Sequence, residues 1–427
     1  MNYRVSTRSH RRGAWTTGPT CLAALLALAP ASLAQAPANP PAAAATLAEA
    51  PAAVPSAPTP AAAPPAAAVS AGAAFPGDDS SPLTFGSDPN HQLVINGFGV
   101  LGYDYNLSSR TNSFADSALA LSLYKGITDN LSVFAQLTTS RDDPSPFKAD
   151  IGETRDVSTD IDNLQLRWQP SLQSGFDVTV GKFDSPMAIE RDDQPLNFQA
   201  TNSFTFDFAR PVKFVGVNVH DALAPTFEVW GILANGWDQD VDNNKGKTGG
   251  VYALWSPSLA AHFGIGVLYG PEKDNLDTDD RTAVVGTLLL QPYERWVIGG
   301  ESVYGSEPHS AVDGGLAKWY GEMLFTHYRF DKHWAATLRL DYFDDVGGSR
   351  TGTPQVLRSL TLSPQYLVGG GFYGIFRYLE RTTLRLPELA LRLDLRYDRS
   401  TAPVFAASDG SGRRDHAQAT LQTVFLF

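Results

Sequence analysis

The sequence predicts an all-β protein: a transmembrane antiparallel β-barrel of about 16 strands, with roughly 14 to 18 as the range. A signal peptide (1–34) and a disordered Ala/Pro-rich linker (35–88) are predicted to precede the barrel (89–427). The chain begins with a basic and then apolar segment that is typical of export. After the linker, runs of about ten residues alternate apolar and polar side chains. The last of these runs ends on Phe427.

The composition agrees with a barrel and argues against other classes. Hydrophobic residues make up 43% and charged residues 18% of the 427 residues, and the mean hydropathy is -0.17. A barrel strand shows only alternate residues to lipid, so a spanning segment is half polar. The net charge is -12, and it becomes -16 without residues 1–34, which hold four arginines and no acidic residue. Such an acidic chain lacks the excess of basic residues that binds the phosphate backbone, so no nucleic-acid partner is predicted.

The first 34 residues have the pattern of a secretory signal. Four arginines lie in residues 1–20, and CLAALLALAPASLA follows as an apolar core that ends in Ser32 and Ala34. Cleavage is predicted after Ala34. About 14 apolar residues interrupted by Pro30 are too few for a membrane anchor. The single cysteine, Cys21, lies in this segment, so the mature chain is predicted to have no thiol and no disulfide.

Residues 35 to about 74 consist almost entirely of alanine and proline. Proline at this density prevents regular helix or sheet, and the segment has too little apolar bulk for a core. We predict a semi-extended periplasmic linker. It is either a disordered spacer or a tether that reaches peptidoglycan or a periplasmic partner.

The clearest strand is Leu389–Asp398, where leucines and Tyr397 alternate with arginines and aspartates. A period of two places all the charges on one face, whereas a helix would scatter them. Arginine facing lipid near the midplane costs about 2–4 kcal/mol, so the charged face is predicted to face a water-filled interior. The other clear runs are Ser117–Tyr124, Leu131–Thr139, Asp162–Trp168, Phe176–Lys182, Thr226–Asn235, Gly249–Trp255, Ala261–Gly270, Ala283–Leu290, Trp296–Tyr304, Tyr320–Phe330 and Trp334–Phe343, with Val356–Tyr366 and Phe372–Arg381 taken as one strand with an irregular insertion.

The final run, Ala419–Phe427, places Phe425 and Phe427 on one face of a terminal strand. This alternation with a terminal aromatic residue is the kind of signal that barrel-assembly machinery reads, so that machinery is a predicted partner. An even number of strands puts both termini in the periplasm, with short turns on that side and longer loops outside. The predicted location is therefore the outer membrane of a Gram-negative cell, in contact with lipid and lipopolysaccharide.

One outer loop, 185–210, is long and mixes charges with aromatic residues. A loop of this size is usually functional or disordered. We predict that it folds into the barrel and places Glu190, Arg191, Asp192 and Asp193 near a constriction. The alternative is an extracellular flap on the rim. Strand parity assigns a further set of charged residues to the pore lining: Arg167, Glu228, Arg339, Asp341, Arg392, Asp394 and Arg396.

These lining charges have two interpretations. Opposed acidic and basic side chains can create a transverse field that favours polar solutes. They can also form salt bridges that stiffen the interior, and both can hold at once. The spaced carboxylates of 238–244 resemble a calcium loop but lack its sixth-position glycine and its twelfth-position glutamate. No metal site and no cofactor are predicted.

Several short motifs resemble the β-barrel porin type 2 (OmpL-like) family. They are Gly181-Lys182-Phe183, Asn235-Gly236-Trp237-Asp238, Asp242-Asn243-Asn244-Lys245-Gly246-Lys247 and Arg396-Tyr397-Asp398-Arg399-Ser400. The resemblance covers most of 91–427, and residues 369–386 look like an insertion relative to it. It implies an outer-membrane channel of unassigned substrate and supplies no catalytic residues.

The predicted function is a porin-like channel for passive diffusion of small hydrophilic solutes or ions. About 16 strands enclose an aqueous channel, and the Ala/Pro-rich segment is too simple in composition to fold into a plug. An envelope-tethering or adhesin barrel without general conductance is the alternative. An outer-membrane hydrolase is a third class, but the eight histidines form no spacing that pairs with a nucleophile, so no enzyme is predicted. A homotrimer is compatible with this strand number.

Overall fold

The computed structural model describes residues 83–114, 117–141, 157–171, 175–368 and 389–427. The predicted signal peptide with Cys21, most of the predicted linker and the predicted run 372–381 lie outside the described residues. Three short helical segments occur in the described ranges, at Pro89–His91, Gln194–Leu196 and Thr205–Ala209. None of the helices described there is long and apolar enough to cross a membrane.

Alternating sequences form strands along the whole described chain. The strands are β1 (Leu83–Phe85), β2 (Leu93–Asn106), β3 (Thr111–Ser113), β4 (Ser117–Thr128), β5 (Leu131–Arg141), β6 (Val157–Trp168), β7 (Phe176–Asp184), β8 (Lys213–Ala224), β9 (Phe227–Ala234), β10 (Thr248–Ser258), β11 (Ala261–Lys273), β12 (Leu276–Tyr293), β13 (Trp296–Glu307), β14 (Ala317–Arg329), β15 (Trp334–Asp345), β16 (Gln355–Val368), β17 (Leu389–Ser400), β18 (Phe405–Ala406), β19 (Gly412–Arg413) and β20 (Asp415–Leu426).

Sixteen of these strands close into an antiparallel barrel: β2, β4 to β17, and β20. Each pairs with its neighbour in the chain, and β20 closes the ring by pairing with β2. The predicted barrel of about 16 strands is confirmed. The short strand β1, which lies inside the range predicted as linker, also pairs with β2.

The two ends of the barrel differ in their connections. At one end, the short-turn end, β8 and β9 are joined by residues 225–226, and β10 and β11 by 259–260. At the other, the long-loop end, the connections include 185–212, 235–247 and 346–354. The exception is the tight turn between β11 and β12, where Asn275 has a φ of 58°. This asymmetry is typical of outer-membrane barrels, whose short turns face the periplasm.

Burial alternates along each barrel strand as the sequence predicts. On β17, Leu395 and Tyr397 face outward and are 45% and 49% exposed, whereas Arg392 and Asp394 face inward and are 1% exposed. Outward aromatic residues gather near both ends of the strands, as Tyr320 and Tyr328 do on β14. Eight residues span about 27 Å along a strand, or roughly 21 Å across the membrane at a tilt of ~40°. The outward apolar band is therefore close in height to the band of about 25 Å that is typical of outer-membrane barrels.

The closing seam depends on two glycines of β2. Gly97 N donates to Phe427 O at 2.9 Å, and Phe427 N donates to Gly97 O at 3.0 Å. The rings of Phe425 and Phe427 lie directly over Gly99 and Gly97, so that a Cβ on Gly99 would be 2.1 Å from Phe425 Cζ. The terminal aromatic residues thus cover the place where the first and last barrel strands meet.

Candidate functional site

The segment between β7 and β8, residues 185–212, folds into the barrel. We call it the inner loop. At its base Ser185 N donates to Val212 O at 2.8 Å, which brings the two ends of the loop together. Its side chains and backbone reach strands β13 to β17, and β15 is eight strands from β7 in either direction around the ring. The inner loop therefore crosses the interior and docks on the opposite wall.

Three inward arginines of the opposite wall hold the backbone of the inner loop. Arg392 donates to the carbonyls of Asn197 at 2.9 Å and Gln199 at 2.8 Å through Nη1, and to Gln194 O at 3.1 Å through Nη2. Arg339 Nη2 and Arg396 Nη1 donate to Asn202 O at 2.8 and 2.7 Å. A guanidinium can donate five hydrogen bonds, which suits it to irregular backbone with no strand partner. These arginines act as a clamp.

Carboxylates from both sides complete the clamp. Glu190 of the inner loop accepts from Arg339 Nη1 at 2.9 Å and from Ser203 N at 2.9 Å. Glu301 of β13 accepts from Ile189 N at 2.8 Å and from Arg210 Nε. Asp394 of β17 accepts from Thr201 N at 2.9 Å and Thr201 Oγ1 at 2.8 Å. Such buried ion pairs need this dense hydrogen bonding to offset their desolvation.

Apolar side chains of the inner loop also pack on the inner wall. Ile189 and Phe198 form a buried cluster with Leu289, Val297, Met323 and Phe325. The Phe198 ring stacks on His327 with the ring centroids 4.1 Å apart. A second and larger cluster includes Met187 and Phe204 of the inner loop. The interior is therefore partly filled by a core shared between the loop and the wall, rather than lined only by polar groups.

The structure places every predicted pore-lining residue on the inner face, but it uses them in different ways. Arg339 and Arg392 are 1% exposed because the inner loop covers them. Arg339 Nε also binds Asp341 at 3.1 Å, and Arg396 Nε binds Asp398 at 2.8 Å. The lining role of these residues stays a prediction. The pairs of arginine with neighbouring carboxylates agree with the salt-bridge interpretation, whereas the contacts of the arginines with loop carbonyls were not suggested by strand parity.

Near the short-turn end a second inner network connects β6 to β9. Arg167 Nη2 donates to Asp177 Oδ2 at 2.8 Å. His220 lies between two carboxylates, with Nδ1 3.0 Å from Asp177 Oδ2 and Nε2 3.1 Å from Glu228 Oε2. The His220 ring stacks on Trp230 with centroids 4.6 Å apart. Predicted residues Arg167 and Glu228 thus belong to one network.

The predicted constriction residues separate into two pairs. Both Glu190 and Arg191 are buried. Glu190 belongs to the clamp, whereas Arg191 Nη1 donates within the inner loop to Ser185 O at 2.8 Å. Asp192 and Asp193 are half-buried and point toward the wall from which the loop departs. Asp193 accepts from Gln136 Nε2 on β5 at 2.6 Å.

Around Asp192 three carboxylates share one lysine. Lys213 Nζ contacts Asp162 at 2.9 Å, Asp184 at 2.8 Å and Asp192 at 2.6 Å. These carboxylates lie close enough together to hold a metal ion, but the ammonium group sits among them. Burial raises the pKa of Asp193 well above its usual range, and the carboxylates of Asp192, Asp184 and Asp162 raise it further.

The acidic outer loop 238–244 uses its carboxylates locally. Asp238 Oδ1 accepts from Val212 N and Lys213 N, both at 2.8 Å, and so fixes the start of β8. Asp240 pairs with Lys182 at 3.0 Å, and Asp242 pairs with Lys247. The three acids have separate partners and do not converge on one point.

Sequence reasoning missed Glu301, Arg210 and Trp319, which all form hydrogen bonds where the inner loop docks. Trp319 Nε1 donates to Ala209 O at 3.0 Å, and Arg210 and Glu301 are paired with both side chains 1% exposed. The one available signal was Glu301, the only charged residue in the run Trp296–Tyr304, at an inward position. Its partner lies 91 residues away in the chain, which no local pattern shows.

A comparison with protein-family models decides the family. The model described as beta-barrel porin-2, OmpL-like, matches residues 103–427. The chain belongs to this porin family. No curated protein matches the chain. The resemblance noted in the sequence is therefore confirmed, and the barrel is assigned to the outer membrane.

Solved structures of other outer-membrane porins share the fold of this porin. The anion-selective porin from Comamonas acidovorans is 11% identical over 78% of this chain and 99% of that chain, with a TM-score of 0.53. The DcaP channel of Acinetobacter baumannii is 13% identical over 80% and 99%, with a TM-score of 0.52. Salmonella typhi OmpF, in complex with daunomycin, is 9% identical over 81% and 100%, with a TM-score of 0.53. At these identities the likeness concerns the fold.

Proposed function

We propose that this porin is a passive diffusion channel whose narrowest part is set by the inner loop. The observation that carries the proposal is the docking of residues 185–212 on the wall opposite to their own strands. A loop held across a barrel of 16 strands narrows an interior that such a strand number otherwise leaves wide and aqueous. Small hydrophilic solutes or ions are the expected cargo. No enzymatic activity is proposed.

The remaining features of this porin stay predictions. Cleavage after Ala34, recognition of Phe425 and Phe427 by the assembly machinery, contact with lipopolysaccharide, and a homotrimer all follow from sequence reasoning. The outward position of Phe425 and Phe427 at the closing seam supports the second of these.

Single-channel recording in a planar bilayer tests the proposal. We expect stable open steps from the wild-type protein. Arg392→Gln removes donors from three buried carbonyls of the inner loop, and each carbonyl left without a partner costs about 1–3 kcal/mol. The loop should loosen, so the variant should show larger and noisier open steps.

Arg413→Gln is the matched control. Arg413 carries the same charge but lies on an outer loop, where it pairs with Asp415 and both side chains are 43% exposed. Its conductance should equal that of the wild type. A correctly folded wild-type barrel that never opens in the bilayer would contradict the channel proposal and would favour the tethering or adhesin role.

A further inference from the structure

Two arginines and two tryptophans form a compact group on the inner face at the long-loop end. Arg281 projects from β12 and Trp319 from β14, while Trp237 and Arg350 come from the loops 235–247 and 346–354. We call this group the arginine–tryptophan cluster. It adjoins the inner loop, because Trp319 Nε1 donates to Ala209 O and Arg350 Nε donates to Phe208 O at 2.7 Å.

Both guanidinium groups lie over the same pair of indole rings. Arg281 Cζ is 4.7 Å from the Trp237 ring centroid and 5.9 Å from that of Trp319. Arg350 Cζ is 5.3 and 5.4 Å from the same two centroids. The rings themselves are buried and meet edge to face at 6.1 Å. Contact with a ring uses the flat face of a guanidinium and leaves its N–H edges available.

Several of these N–H groups have no partner in the part of the chain that the structure describes. Arg350 donates through Nε to Phe208 O, and no protein acceptor is present for its Nη1 and Nη2. Arg281 uses Nη2 to bind Glu307, at 3.2 Å and 3.0 Å to the two oxygens. Its Nε is buried without an acceptor. Buried polar groups are nearly always hydrogen-bonded, so the unpaired Arg281 Nε needs an explanation. The Arg350 Nη groups are not among the buried ones, so a dissolved anion can reach them.

The nearby carboxylates have other donors. Glu307 is engaged by Arg281, and Glu272 accepts from Trp237 N at 2.8 Å and Thr248 Oγ1 at 2.5 Å. Asp238 accepts two backbone N–H groups at the start of β8. Asp345 accepts the backbone N–H groups of Ser349, Arg350 and Thr351 at 2.8 to 3.0 Å. Burial lowers the pKa of Arg350 to about 10, and the charge of Arg281 lowers it further, while the carboxylates of Glu307, Asp238 and Asp345 raise it. These carboxylates therefore offset the two lowering effects only in part.

We propose that the arginine–tryptophan cluster binds the oxyanion group, carboxylate or phosphate, of a small hydrophilic solute at the outer mouth of the barrel. The planar, forked donors of two guanidinium groups match carboxylate and phosphate oxygens better than a point charge does. The position beside Phe208 and Ala209 places such a solute next to the inner loop. That the cluster binds solutes on their way through the barrel rests on the proposed channel function. Binding of an anion to the cluster can be measured independently of that function.

Isothermal titration calorimetry of the detergent-folded full barrel tests the site, with sodium succinate and inorganic phosphate as probes. We expect saturable binding of at least one anion by the wild type, and a loss of about tenfold or more in affinity, some 1.4 kcal/mol, in Arg350→Gln. Arg350→Lys keeps the charge but loses the fork and should fall in between. Arg413→Gln, at an exposed outer position, should bind as the wild type does.

Glu307→Gln provides an independent test that leaves Arg350 intact. Removing this carboxylate frees Arg281 from its ion pair, so the affinity for the probe should rise. Which probe binds more tightly distinguishes organic acids from phosphate. Absence of saturable binding by the wild type, equal affinities of Arg350→Gln and Arg413→Gln, or weaker binding by a folded Glu307→Gln would each overturn the site. A barrel that conducts ions but binds neither anion would overturn only the proposed anion site. A barrel that binds an anion but never conducts would overturn only the proposed channel function.

Discussion

Single charged residues inside this barrel serve mainly to hold backbone. Strand parity identified Arg339, Arg392 and Arg396 as inward charges, and the sequence left open whether they set a field or formed salt bridges. In the structure they also donate to carbonyls of the inner loop. A coil segment inside a barrel has carbonyls that no neighbouring strand satisfies, and each needs a donor. The residue types were therefore predictable, but their acceptors depend on where the loop docks.

The Asp193 carboxyl gives a prediction about pH. Burial and the neighbouring carboxylates raise its pKa well above the usual range, so the folded state favours the protonated form. The loss of stability caused by ionising this carboxyl is absent below the ordinary pKa of about 3.8, grows as the pH rises toward the raised pKa, and is complete above it. Asp193→Asn removes that penalty, and its side-chain oxygen can still accept from Gln136. The variant should be more stable than the wild type at about pH 8, by equilibrium urea unfolding in detergent.

The same comparison at about pH 4 should show a much smaller difference, because the wild-type carboxyl is then protonated in the folded state. Asp409→Asn is the control for the change in net charge, since Asp409 is exposed on an outer loop and an asparagine oxygen there can still accept from Ser411 N. If Asp193→Asn were no more stable than Asp409→Asn at the higher pH, burial of Asp193 and its repulsion from the neighbouring carboxylates would not limit the stability of the barrel.

Whole elements were predicted best where they lie in the membrane. The run predicted at Ala283–Leu290 is the centre of β12, which extends from Leu276 to Tyr293. Beyond the hydrocarbon layer neither face of a strand needs to be apolar, so alternation fades although the hydrogen-bonded ladder continues. The sequence pattern therefore marks the embedded part of a strand and underestimates its full length.

The sequence allowed the inner loop to be predicted as a functional segment, but not the strands on which it docks. Its length and its mixture of charges and aromatic residues indicated that it was more than a solvated connection. Docking on β13 to β17 depends on pairs such as Arg210 with Glu301 and Arg339 with Glu190. These residues are far apart in sequence, and only the closed ring brings them together.

The closing seam yields a prediction about strands β2 and β20. A Cβ on Gly99 would overlap the Phe425 ring, which is a movable side chain. Gly99→Ala should therefore displace the ring and destabilise the closed barrel by about 1–3 kcal/mol, as overpacking does. The loss would appear as a smaller heat-modifiable, folded fraction after refolding into detergent.

Gly231→Ala is the matched control, because no atom lies within 4 Å of the Cβ that it would add. It should refold as the wild type does. Adding Phe425→Ala to Gly99→Ala should remove the overlap, so the two changes together should cost less than their sum. Fully additive losses would show that the ring and the glycine do not act as a pair.

At the scale of the whole molecule, a closed ring and an outward apolar band act together. Closure gives every barrel strand two hydrogen-bonded neighbours, so no open edge faces lipid. The band then fixes the position of the ring along the membrane normal, since outward aromatic residues mark both ends of it. On β15 the outward Trp334 and Tyr342 lie near opposite ends, and Leu338 lies midway between them.

Leu338→Arg tests this placement directly. If Leu338 lies at the middle of the bilayer, an arginine there should destabilise the barrel by about 2–4 kcal/mol. Val346→Arg, just beyond the end of β15 and 57% exposed, should cost at most about 1 kcal/mol, because its charge remains at the interface. Urea unfolding in lipid vesicles measures both variants, and the same pair in detergent micelles should differ less, since a micelle deforms around a charge more readily. Equal costs at the two positions in vesicles would mean that the outward band of β15 is not centred on Leu338, and the barrel would have to sit at a different depth in the membrane.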